Sequence, residues 1–427
     1  MKKKDFFYST ALAVCMAFSM SACSEDDPEP NPNPNPNPGD DDEPTEVVDA
    51  YDLDYTADNA VAWGNYMYHT ALLLDQDATS LYEAWTQDYD GNGPYATIFK
   101  DQTAGAYSSA RACIEEMVQG GMWNIANEVG DAKIRDPYDK YVGGDQEGGL
   151  YAVESWFSWH SRDDYTNNIF SIRNTYYGRI DDNDVAKIDG NLDAYASYAD
   201  FDDEGDIAEH SLSNLVASVN PDLDERIKTQ IFEAAKAIQA IPQPFRNNID
   251  SEEAVAAMEA CMTLASTLRD DNNSLLNFVN SLDAAYEDEM DAVAEQFVDA
   301  VVLPTYEELQ AQNRVLLEAV NTFRESPSSD NFVNCCNAWI TAREPWEKSE
   351  AFLIGPVANW GLDPNMDSWP LDVNAIVNLL NSQNWEEMEW SGDFNEDSEE
   401  IGAAQNVRGY HTLEYLIFKD GQPRTVN

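Results

Sequence analysis

The chain reads as an all-α protein built from helical bundles. Three observations predict this. Apolar residues recur every three or four positions through most of the sequence after residue 48, capping residues and prolines break those runs at helical lengths, and the alternation typical of half-buried strands is scarce. Long helices joined by short Pro, Asn and Asp breaks favour antiparallel neighbours.

The first 47 residues lie outside that pattern. Lys2, Lys3 and Lys4 precede an apolar stretch from Phe6 to Met20 and then Ser21-Ala22-Cys23, the layout of a secretory leader, too short to span a bilayer. The Cys after Met-Ser-Ala resembles the lipobox of bacterial lipoproteins, so residues 1–23 are expected to end at a lipidated Cys23. Residues 24–47 alternate Asn with Pro between acidic clusters. Such a segment favours extended, solvated chain and has nothing to bury. It is expected to tether a folded body to the outer membrane of the cell envelope, on its periplasmic or its surface-exposed side.

In the body, Asn220 caps a run carrying Leu223, Ile227, Ile231, Ala234 and Ile238 that ends at Pro242 and Pro244. The next run starts at Ser251 with Val255, Met258, Met262 and Leu268. A third is expected from Leu275 to Pro304, and a fourth through Leu309, Leu316, Val320 and Phe323 to Pro327. Acid-rich stretches over 181–206 and 386–400 read as surface loops. A boundary placed at 242–250 divides the body into 48–245 and 246–427, near the typical domain size.

The formal charge of −56 repels nucleic acid and anionic lipid. Cations, cationic partners or neutral ligands are the company it favours. Cys113, Cys261, Cys335 and Cys336 are too few for a disulfide framework in so large a body, and are read as small buried apolar residues.

Chemistry concentrates near the end of the chain. Gly409-Tyr410-His411-Thr412-Leu413-Glu414 places an imidazole and a carboxylate three apart, on one helix face. The spacing alone is weak, since composition supplies roughly one such His-acid pair by chance, and His160 with Asp163 is another. Upstream, Glu347 and Glu350 repeat that spacing and Arg343 lies one turn before Glu347. Glu347 and Glu350 facing His411 and Glu414 would make an oxygen-rich, nitrogen-containing metal site. The competing reading is an Arg–Glu pair beside Trp346, with His411 and Glu414 bonded to Arg or Ser across an interface. Ser158 and His160, flanking Trp159, gather donors and aromatic surface that could line an opposite wall. Aromatics at that spacing are more often core.

The order Trp346-x-x-Ser349-Glu350-x-Phe352, Gly355-Pro356, Asp367-x-Trp369-Pro370, then Gly409-x-His411-x-x-Glu414-Tyr415-Leu416 resembles imelysin-like proteins, the imelysin peptidase family. Ser155-Trp156-Phe157-Ser158 through Gly178 is similar to the later half of that family, yet here precedes the His motif. The chain therefore looks circularly permuted, which requires Lys419–Pro423 to end near residues 51–68. The resemblance implies two bundles with a site at their interface and a role in iron acquisition. It also makes Arg343, Trp346, Asp367 and Trp369 candidate pocket residues.

A helical zincin supplies two His at i and i+4, whereas the residue four beyond His411 is Tyr415. Iron tolerates mixed imidazole and carboxylate ligation. The expectation is therefore a lipid-anchored protein that binds iron or another divalent cation, with haem or an iron chelate as further ligands and an envelope transporter as partner. The alternatives are a metallopeptidase, with zinc as its metal, and a non-catalytic glycan- or protein-binding module.

Overall fold

The computed structural model describes residues 50–180 and 192–426; the leader, Cys23 and the Pro-rich tether lie outside them. The residues from Val48 on form one compact unit, and among the described residues its regular structure is helical apart from a short hairpin pairing Phe418–Lys419 with Gln422–Pro423.

The principal helices are α1 (Ala60–Thr86), α2 (residues 110–142), α3 (Ser161–Tyr177), α4 (Pro221–Ala240), α5 (Glu252–Ala265), α6 (residues 287–325), α7 (Ser329–Glu347), α8 (Leu362–Asp367) and α9 (Gly409–Ile417). Capping accounts for several starts. Asn220 accepts from the Leu223 amide and Ser251 from the Ala254 amide, each satisfying an otherwise orphaned donor.

Helices α1, α6, α7 and α9 pack into one bundle, and α3, α4, α5 and the second half of α2 into another. Each bundle draws on both halves of the sequence. The Pro242–Asp250 segment, expected to separate domains, is a turn inside the second bundle, because α4 and α5 on either side of it pack face to face.

Three expectations about single elements are corrected. The run from Leu275 stops at Ser281, where Asp283 accepts from the Ala285 amide and starts a new turn. Nor does Pro304 end a helix. A π turn at Val298–Val302 widens the ladder just ahead of it, so α6 continues through the proline. The stretch 181–206 is likewise not loop throughout. Among its described residues Phe201 is buried, and Arg173 binds Asp202 and Asp206 at 3.0 and 2.8 Å.

Cys113, Cys261, Cys335 and Cys336 are buried free thiols, and burial pushes Cys261 up to about 12. The end of the chain clasps its beginning. The Tyr415 hydroxyl donates to the Ala50 carbonyl at 2.7 Å, Arg424 to Asp54 at 2.7 Å and the Trp63 indole to the Leu416 carbonyl at 2.9 Å.

Candidate metal site

Where the two bundles meet, the first supplies Arg343 from α7 and His411 and Glu414 from α9, and the second supplies Asp164 and Asn168 from α3. Gly409 sets the entry of α9. It holds φ +87°, and a Cβ there would stand 2.6 Å from the Met366 carbonyl oxygen, so only glycine lets α9 begin against the end of α8.

Arg343, 1% exposed, organises the interior. Its Nε lies 3.0 Å from Asp164, Nη1 2.5 Å from Asp367 and Nη2 2.7 Å from Glu347 Oε1. His411 Nδ1 faces Glu414 Oε2 at 2.9 Å, and Nε2 faces Asp367 Oδ1 at 3.1 Å. Glu414 Oε1 in turn accepts from the Phe157 amide at 3.0 Å and from the Ser158 amide and hydroxyl, both at 2.7 Å. Burial and Arg343 oppose protonation of His411, yet Asp367 and Glu414 prevail and push it up to about 9. Burial would raise Asp367, but Arg343 and His411 hold it well below the carboxylate range.

Outward from this network a cavity of about 230 Å³ opens, lined by Glu128, Lys133, Glu154, Glu350, Asp363, Asp367 and Trp369. Two close approaches shape it. Gly121 of α2 takes the Ala351 carbonyl where a side chain would stand, and the Ala351 amide donates to Ser171 of α3 at 3.0 Å. These contacts hold the turn Glu350–Phe352 against the second bundle. One carboxylate oxygen from each of Glu347, Glu350 and Asp367 can lie within 4.8 Å of the other two.

Here pairing is thin. Glu347 Oε2 accepts from Asn168 at 2.6 Å, whereas Oε1 meets Arg343 at ion-pair distance without a hydrogen bond. Burial raises Glu347 to about 8 against Arg343. Burial and Glu128 raise Asp363 to about 7, and burial raises Glu350 well above its usual range against Lys133. Such carboxylates favour either a proton or a bound cation.

The structure thus brings Glu347, Glu350 and Asp367 together and sets His411 and Glu414 beside them, with both ring nitrogens already facing partners. Trp346 donates to Asp367 at 2.9 Å, and the Trp369 and His411 ring centres lie 4.8 Å apart. Ser158 serves Glu414. His160 is set apart, half-buried, with Nδ1 3.8 Å from Asp163. The sequence reading missed Asp164, Glu128, Lys133, Glu154 and Asp363.

Fold and site together define an all-helical protein with a carboxylate-rich cavity wedged between two bundles. The chain belongs to the imelysin family, whose model matches residues 39–293 and 302–426. The crystal structure of an imelysin peptidase from Bacteroides ovatus is similar to it, with a TM-score of 0.79 and 51% identity over 89% of this chain and 100% of that one. Iron-regulated protein A of Synechococcus elongatus is 32% identical over 127 residues, 30% of this chain and 31% of that protein's length.

Proposed function

We propose that this protein captures a cation, with iron as its cargo, at Glu347, Glu350 and Asp367, the last two of which line the cavity. The observation that carries this reading is the convergence of those oxygens within 4.8 Å beside a cavity otherwise rich in carboxylates. Hard oxygen donors on helical bundles suit iron. The name of the Synechococcus relative, iron-regulated protein A, supports the same cargo. A cavity of about 230 Å³ falls below the ~300–1,000 Å³ of organic-ligand pockets, which favours an ion over haem.

Anchoring through a lipidated Cys23, an envelope location and hand-over to a transport partner complete the reading. A permuted chain order is part of it too, supported by the clasp of Tyr415 and Arg424 on residues 50–54. Anaerobic titration with Fe(II) by calorimetry tests the core of the proposal: saturable binding is expected in the wild type, and binding weaker by about tenfold or more in Glu350→Gln. A wild-type titration without heat ends it. A metallopeptidase is the second reading, favoured by the name of the Bacteroides ovatus relative. Chelator-sensitive cleavage of an unfolded protein would establish that activity.

A further inference from the structure

Among the described residues Lys133 is the one basic side chain lining the cavity, against Glu128, Glu154, Glu350, Asp363 and Asp367. Its side chain is 4% exposed, and its Nζ lies 2.8 Å from Glu154 Oε2 and 3.6 Å from Glu128 Oε1. Lysines are seldom buried this deeply unless paired, and this one points into the space where a cation would enter. Its charge also acts on Glu350 and Glu347. It arrives there on a π turn, Val129–Arg135, a local widening that often marks functional positions in helices.

We propose that Lys133 is a tethered competitor cation that sets the affinity and charge preference of the site, an inference that rests on the cation-capture reading. The ammonium occupies Glu154 and Glu128, which leaves an entering ion the group of Glu347, Glu350 and Asp367, with Asp363 nearby in the lining. It also repels the ion through space, more strongly the higher its charge. Lys133 thereby keeps binding weak enough for release, and its removal opens Glu154 and Glu128 to the ion as additional oxygen donors.

The experiment compares wild type, Lys133→Gln and Lys133→Arg by titration with Tb(III) and with Ca(II), following terbium emission sensitised by tryptophan; Trp369 lines the cavity. Lys133→Gln is expected to bind Tb(III) at least about tenfold more tightly, with a smaller gain for Ca(II), while Lys133→Arg stays near wild type. Melting curves identify any variant that fails to fold, and Lys133→Met then replaces Lys133→Gln. Equal or weaker binding in the neutral variant, or an equal gain in Lys133→Arg, overturns the role of Lys133 and leaves cation capture standing. Saturable binding by none of the three proteins overturns the capture reading itself.

Discussion

The inner and outer halves of the site use the same residue types to opposite ends. Around Arg343 and His411, the carboxylates of Asp164 and Glu414 meet a cation or several donors, and Asp367 spans both halves, paired with Arg343 while it lines the cavity. Around the cavity, Glu347, Glu350 and Asp363 are held above their ordinary range by burial that their partners do not offset. Full pairing makes an acid part of the scaffold. Incomplete pairing leaves it seeking a proton or an ion.

The largest test of that contrast is Arg343→Met. It strands Asp164, Asp367 and Glu347 without their cation and is expected to cost about 3–5 kcal/mol, read from urea unfolding. Next comes pH. His411 is raised from 6.5 to about 9 on folding, so its contribution is complete below pH 6.5 and is lost as pH rises through 9. At 1.36 kcal/mol per pH unit this is about 3 kcal/mol. Glu347 acts in the same direction. An acid raised from 4.5 to about 8 loses stability for the fold as pH climbs through that window. Unfolding measured from pH 5 to 9 should show the decline, with the upper part flattened in His411→Gln and the lower part in Glu347→Gln.

In the outer half the signs separate. Glu350→Gln should weaken cation binding by about tenfold or more, about 1.4 kcal/mol, while stability holds or rises because an uncompensated buried acid is gone. Ser158→Ala removes one of three donors to Glu414 Oε1 and should cost about 1 kcal/mol without touching cation affinity. His160→Ala, outside both halves, should stay within about 0.5 kcal/mol and bind cations as wild type does.

Helical periodicity in the sequence was sufficient to find α4 and α5, their caps and the pairing of His411 with Glu414, since those depend on neighbours along one helix. Convergence of Glu347 with Glu350 was also legible, though α7 ends at Glu347 and Glu350 follows in a 3-10 turn. Glu128 and Lys133 were invisible to that reasoning. Five residues apart, they point different ways on a regular α-helix, and a π turn with its i→i+5 bonding brings them onto one face. Asp164 sits beside Asp163 in sequence, and only the packing of α3 against α7 decides which of the two is buried. The same limit applies to Pro304, whose passage through α6 depends on the widened turn before it.

The seat of the Ala351 carbonyl against Gly121 has a mechanical result. Main chain meets main chain one residue beyond Glu350, so the base of that cavity-lining side chain is set by peptide geometry more than by side-chain repacking. A single methyl group, as in Gly121→Ala, would collide with the Ala351 carbonyl and push aside the turn that carries Glu350.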